Sequence, residues 1–420
     1  MSEIVRSRLS RFTRDWFVGS VLEPTADAYV RYLLNRGYAG GTIDGYARSV
    51  AHFAHWLKRR RIGIEDLGEA VVAHFLDEHL SNCRCARHCQ RGIAEVRAAL
   101  AHLLELLRMD GLLVPPAPSF PAGIVAELCE FDRYLTDVRG LCAVTRQAHV
   151  TRVRKFLLSH FGDGDVQIET MTAAKIMQYI MKITAGWKPS SVNAVSHSLR
   201  SYLRFKAVRG ARTTPLIAAL PRVAQWRLSG LPRVLSADET RRLLEVFDRN
   251  TAAGRRDRAI ARCYVDLGLR TSEIARLQLD DLDWRGGVVR VRGKGRRIDI
   301  LPLPAATGRS IVEYLRKGRR PTASRALFLR HRPPLDMPAS SDTIRAAIRN
   351  AARRCGLGER LTGPHILRHT IAKRLVEHGA TLKDIADLLR HRCLDTTTIY
   401  AKVDLDALRK VAAPWPEGQS

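Results

Sequence analysis

No stretch of the 420 residues is long and apolar enough to resemble a transmembrane helix, so the chain is not expected to cross a bilayer. The N-terminus, MSEIVRSRLSRFTRDW, lacks the apolar core of a signal peptide, and the cytoplasm is the expected compartment. Acidic residues are scarce: 42 Asp and Glu stand against 70 Lys and Arg, a net charge of +28. A pI near 10.6 points to a polyanionic partner, most simply nucleic acid, with an anionic membrane surface as the rival. A regular cysteine framework is missing too. The eight cysteines fall irregularly, which favours free thiols over disulfides. Cys83-x-Cys85-x-x-His88-Cys89 has the residue types of a zinc site, but the spacing fits no standard knuckle and no second ligand pair follows.

What is present is helical periodicity over a chain long enough for two or three domains. In residues 1–113, helices are predicted over Tyr29–Leu34, Thr42–Leu57, Leu67–Leu80 and Ile93–Leu107; Ile43, Tyr46, Val50, Phe53 and Leu57 share one face. The run Leu113-Val-Pro-Pro-Ala-Pro-Ser-Phe-Pro121 breaks any regular element and is the clearest linker. A second helical segment, 122–222, repeats features of the first. Arg31-Tyr32-Leu33 matches Arg133-Tyr134-Leu135. With one residue inserted, Arg36-Gly37, Thr42, Val50 and Phe53 match Arg139-Gly140, Thr145, Val153 and Phe156.

After a break near Leu220–Arg233, Ser236-Ala-Asp-Glu opens the third segment, 236–410, followed by a tail, 411–420. Arg258–Leu267 reads as a helix stopped by Gly268. Gly287–Arg292, Gly293-Lys-Gly-Arg and Arg297–Leu303 read as strand, turn, strand, and helices resume from Pro304. Gly363–Tyr400 packs the most chemistry into the shortest length. Pro364–His378 has a helical apolar period, with Pro364 suited to a first turn and Gly379 to a stop. Thr381 and Asp384 have capping-box spacing ahead of the apolar Ile385, Leu388 and Leu389. A short last helix from about Asp395 would carry Tyr400.

HILRH, then LLRH, then TTTIY resembles the C-terminal signature of the tyrosine recombinases, the phage-integrase and Xer group: H-x-x-R, a His, and a nucleophilic Tyr nine residues on, as from His391 to Tyr400. Leu267-Gly-Leu-Arg270-Thr-Ser-Glu273 resembles the family's first arginine box, and Gly293-Lys294-Gly295 its hairpin lysine. Arg390 departs from the pattern, standing where the family usually has Gly. VTRQAHVTRVRKFLLSHF and SSVNAVSHSLRSYLRFKAVRG resemble its helical core-binding domain.

The resemblance covers about residues 122–410 and implies a helical SAM-like core-binding domain (122–222) and an α+β catalytic domain (236–410) with a small antiparallel sheet; with the helical N-terminal domain (1–113) read from its periodicity, the expected class is mainly α. Residues 1–113 would be an extra DNA-binding or assembly module. The implied activity is site-specific cleavage and rejoining of DNA through a covalent 3′-phosphotyrosyl link, for a mobile element. The implied catalytic set is Arg270, Lys294, His365, Arg368, His391 and Tyr400, with Glu273 as an auxiliary residue. No cofactor and no catalytic metal is implied, because the covalent link conserves the phosphodiester energy. The implied partners are double-stranded DNA, a synaptic tetramer of the same chain, and related recombinases or DNA-bending accessory proteins. Type IB topoisomerases, which share this active-site logic, and a non-catalytic DNA-binding regulator are the alternatives.

Overall fold

The computed structural model describes residues 10–85, 92–113, 120–224, 232–293, 297–335 and 337–390. Its contacts divide the chain into two compact units: Glu65–Ala73 with Leu107–Arg227, and Met1–Ile64, His74–Leu106 and Leu228–Ser420.

The N-terminal helices are α1 (Arg11–Phe17), α2 (Ala26–Asn35), α3 (Gly40–Arg60), α4 (Glu69–His74) and α5 (Ile93–Met109). The period read in the sequence is the packing period: Ile43, Val50, Phe53 and Leu57 of α3 are fully buried. Polar groups among these helices are satisfied across the bundle. Tyr29 donates to the Ala99 carbonyl at 2.9 Å, and Tyr32 to Glu105 Oε2 at 2.7 Å. Two details depart from expectation. Helix α1 was not foreseen, because its short span carries too few apolar positions to show a period. The helix expected over Leu67–Leu80 starts at Glu69 and widens into a π turn over Phe75–His79.

The unit that includes Leu107–Arg227 holds α6 (Ala122–Asp137), α7 (Ala143–Phe161), α8 (Ala173–Thr184), α9 (Pro189–Val208) and the short α10 (Thr214–Ala218). Its core is Phe131, Leu135, Val153, Phe156, Leu157, Ile176, Leu199 and Tyr202. The matched letters of the repeat occupy equivalent places. Leu33 and Leu135 lie in α2 and α6, and Val50, Phe53 and Val153, Phe156 lie in α3 and α7, all buried. The matched Arg31 and Arg133, by contrast, are exposed.

The third segment begins with α11 (Ala237–Glu245). Its capping box is formed: Ser236 Oγ accepts from Glu239 N at 3.1 Å, and Glu239 Oε2 from Ser236 N at 2.8 Å. Helices α12 (Ala252–Leu267) and α13 (Thr271–Arg276) follow. An antiparallel sheet, ordered β1-β2-β3, comes next: β1 (Leu282–Asp283), β2 (Val288–Arg292) and β3 (Ile298–Pro302), with Val289 opposite Leu301 and Arg292 opposite Ile298. Val289, Val291 and Leu301 face the core, whereas Ile298 and Ile300 face outward, the alternation a one-sided sheet requires. Helices α14 (Ala305–Lys317), α15 (Ser341–Arg354), α16 (His365–Glu377) and α17 (Leu382–Leu389) complete the described fold. The class is mainly α with one small sheet, as expected. Among the described residues, no helix is long and apolar enough to cross a membrane.

Candidate active site

The site is built on one chain reversal. Helix α12 ends at Gly268 in the left-handed region (φ 57°), where a side chain is strained. A Cβ there would also stand 2.8 Å from Leu389 Cδ2 and 3.2 Å from Ile371 Cγ2. Glycine therefore lets α16 and α17 close onto the end of α12, and leaves the Gly268 carbonyl facing them. That carbonyl accepts from Arg368 Nη1, and from Arg390 Nη2 at 3.3 Å.

Arg270 follows two residues later as the N-cap of α13. Glu273, one turn on, accepts from the Arg270 backbone N–H at 2.8 Å and from its Nη1 at 2.6 Å. Arg270 Nη2 donates to the Arg390 carbonyl at 3.0 Å. The guanidinium is thus gripped on one side, yet its side chain stays 41% exposed. Glu273, foreseen as an acidic residue near the site, is almost fully buried and is the pivot of this grip.

Arg368 lies on α16, one turn after His365, so one helix face presents both. Its two Nη atoms donate to the carbonyls of Gly268 and Leu389. Consecutive carbonyls, Leu389 and Arg390, therefore anchor the two arginines. His365 opens the helix, its ring perpendicular to that of His369 with centroids 5.9 Å apart. Burial, then the nearby His365 and Arg368, holds the His369 imidazole below its usual range, which keeps it neutral at pH 7.

Sequence reasoning left Arg390 as an anomaly in a glycine position, with the local turn in doubt. The turn forms. Arg390 caps α17 in the left-handed region itself (φ 54°), a conformation that costs a non-glycine residue about 1 kcal/mol. Its side chain offsets that cost. It is 3% exposed and donates to Glu273 Oε2 at 2.8 Å and to the Leu388 carbonyl at 2.7 Å. The only signal for this role was the departure from glycine, which no local rule converts into a buried ion pair. The capping box of α17 does follow its spacing: Thr381 Oγ1 accepts from Asp384 N at 3.1 Å, and Asp384 Oδ2 from Thr381 N at 3.0 Å.

Burial alone would raise the Glu273 pKa. The Arg390 charge and the Arg270 backbone and side-chain bonds outweigh it, and the carboxyl is held below its usual range. The linked stability is present above the unfolded carboxyl pKa, about 4.3, and is lost as pH falls through the folded value. In Arg390→Gly, backbone strain is relieved at every pH, but the largest cause that lowers the Glu273 pKa is removed and the pKa rises from its native value. The expected outcome is that the urea midpoint of the native protein, relative to this variant, rises between pH 4 and pH 7. A difference that does not change with pH would show that the ion pair is not what Arg390 contributes.

The structure therefore brings Arg270, Glu273 and Arg368 together and places His365 on the helix face that carries Arg368. In the sequence Lys294 falls between β2 and β3, and His391 directly follows Arg390; both, together with Tyr400 and the segment after it, lie outside the described residues.

Two guanidinium forks, locked in place by carbonyls and a buried carboxylate beside a small sheet, define a site for a tetrahedral oxyanion on a polyanionic substrate. Comparison with known proteins carries this further. The phage integrase family profile matches residues 233–406, and the phage integrase N-terminal SAM-like domain profile matches twice, over 26–109 and 128–210. The integrase/recombinase y4rA of Sinorhizobium fredii is 36% identical over 391 residues, covering 92% of this chain and 93% of its own. The tyrosine recombinase XerA of Thermococcus onnurineus is 30% identical over 284 residues, covering 67% of this chain and 92% of its own. The XerH site-specific recombinase, solved in a post-cleavage complex with palindromic difH substrate, shares the fold at TM-score 0.57 and 17% identity, over 72% of this chain and 99% of that one. The chain belongs to the phage integrase family of tyrosine recombinases. It is a DNA-breaking and rejoining enzyme that acts in site-specific recombination, and the topoisomerase and regulator alternatives are not favoured.

Proposed function

We propose that Arg270, Lys294, His365, Arg368, His391 and Tyr400 form one strand-transfer centre, with Glu273 and Arg390 holding it in shape. The Tyr400 hydroxyl oxygen attacks the scissile phosphorus and forms a 3′-phosphotyrosine, while the bond to the 5′ oxygen breaks. His365 takes the tyrosine proton, and Lys294 protonates the departing 5′ oxygen. Arg270, Arg368 and His391 donate to the non-bridging oxygens and stabilise the charge of the pentacoordinate transition state. Reversal by a 5′ hydroxyl from another strand completes the exchange without a cofactor. The observation that carries this scheme is the anchoring of both arginine forks on the consecutive carbonyls of Leu389 and Arg390, immediately before His391.

Segment 122–222 is proposed as the core-binding clamp for the duplex held by 236–410. A groove on α7 and α9 lined by Gln147, Thr151, Arg152, Lys155, Ser190 and Ser191 supplies donors suited to phosphates and base edges. Residues 1–113 are proposed as a second module of the same type, on the strength of the double SAM-like match. The working form is a tetramer on two paired DNA sites, linked through the segment after Tyr400 with its apolar Val403, Leu405, Leu408 and Val411, and the setting is a mobile element, with related recombinases or bending proteins as accessory partners. Mass measurement on one-site and paired-site DNA tests the tetramer; a monomer on both would remove it.

The scheme is tested with a duplex selected for binding and nicked so that the 5′ fragment diffuses away after cleavage. A protein–DNA band that survives SDS is expected. A complex that binds tightly but dissociates in SDS on every nicked position would reduce the protein to a DNA-binding regulator.

A further inference from the structure

The N-terminal helices hold a side-chain cluster that strand transfer does not use. His52 on α3 and His79 at the end of the π turn bring their Nε2 atoms to 3.1 Å. Cys83 Sγ lies 3.4 Å from His52 Nε2, and Cys85 Sγ lies 3.8 Å from His79 Nε2. One ligand atom from each of the four residues falls within 4.8 Å of all the others. A tetrahedral ion at about 2.0–2.3 Å from nitrogen and sulfur spaces its ligands by roughly 3.3–3.8 Å. The two histidine–cysteine contacts match edges of such a tetrahedron, and the histidine–histidine contact is about 0.2 Å shorter than one.

The local chain has the shape this requires. In the π turn, Leu80 N donates to the Phe75 carbonyl at 2.9 Å, one residue further back than in an α-helix, which takes His79 out of the α-helical register. Cys85 N donates to Cys83 Sγ at 3.3 Å, a bond that favours a sulfur carrying negative charge and folds the two cysteines onto one side. Aromatic rings wall the cluster. Phe75 stacks on His79 at 5.2 Å, Trp16 lies 5.4 Å from His52, and Trp56 lies 6.1 Å from His79. Two imidazoles and two thiols, closed in by apolar rings, are the donor set and surroundings of a structural rather than a catalytic zinc.

We propose that His52, His79, Cys83 and Cys85 bind one zinc ion that ties the 79–85 segment to α3 and stabilises the N-terminal module. The second ligand pair precedes the cysteines rather than following them: His79 from the adjoining π turn and His52 from α3, distant in sequence. His88 and Cys89, which the sequence alone grouped with Cys83 and Cys85, lie outside the described residues and are not needed for the quartet.

The test is the metal content of the full-length protein, purified without chelator and measured by plasma mass spectrometry. About one zinc per chain is expected. His79→Gln and Cys85→Ser are each expected to lower it by roughly tenfold or more, whereas Cys89→Ser and Cys129→Ser retain it. Substitution by cobalt in the native sequence is expected to give tetrahedral ligand-field bands with thiolate charge transfer, a readout that does not depend on any variant folding. Full zinc retention in soluble His79→Gln, loss in Cys89→Ser, or a cobalt spectrum without thiolate charge transfer overturns the quartet.

Discussion

Tyr400→Phe is expected to abolish covalent attachment to DNA, a loss of at least about 10⁴-fold, while DNA affinity stays within about twofold of the native protein. Only the hydroxyl oxygen is removed, and it is the attacking atom. Three tyrosines fall within 236–410: Tyr264, Tyr314 and Tyr400. The first two are committed to the fold. Tyr264 is 1% exposed and donates to Thr271 Oγ1 at 2.7 Å, and Tyr314 is fully buried, its hydroxyl accepting from Leu329 N at 3.2 Å. Burial pushes both phenols above their usual range, the wrong direction for a nucleophile. No phenol of the catalytic segment other than Tyr400 can reach DNA without unfolding its surroundings. Gel-shift and SDS-gel assays on the nicked duplex separate binding from attachment, and a persistent covalent band in the variant would place the nucleophile elsewhere.

The second large effect belongs to the arginines. Arg368→Lys and Arg270→Lys are each expected to lower single-turnover cleavage by about 10²–10³-fold, although the charge is kept. The Arg368 fork spans two carbonyls, those of Gly268 and Leu389, and Arg270 spans Glu273 and the Arg390 carbonyl. A lysine ammonium is a compact point charge on a flexible stem; it cannot hold two diverging acceptors and still offer a paired edge to phosphate. DNA affinity changes little, since net charge is preserved. Cleavage by either lysine variant within tenfold of the native rate would contradict an oriented clamp and leave charge alone as the contribution.

The parts of this site that were legible in the sequence rest on local rules. His365 and Arg368 share a face because three residues make nearly one turn. Thr381 and Asp384 cap because a three-residue spacing suffices, and Gly268 stops a helix because a positive φ favours glycine. What the sequence hid depends on packing between distant segments. Arg390 reads as a wrong residue at a turn until Glu273, from another helix, is found against it. His52 shows no ligand spacing with Cys83, 31 residues on, since the juxtaposition arises from α3 meeting the π turn, and His79, close to the cysteines in sequence, was not grouped with them. The internal repeat was faint for a related reason: buried positions such as Val50 and Val153 must agree, and most solvent-facing letters are free to diverge.

The most direct measurement is the chemical identity of the protein–DNA link. The complex trapped on the nicked duplex is digested with nuclease and protease, and the nucleotide-bearing peptide is sequenced by mass spectrometry. The expected peptide carries Tyr400 esterified to a 3′ phosphate, with a free 5′ hydroxyl on the released strand. A link through any other residue, or to a 5′ phosphate, would contradict strand transfer by Tyr400.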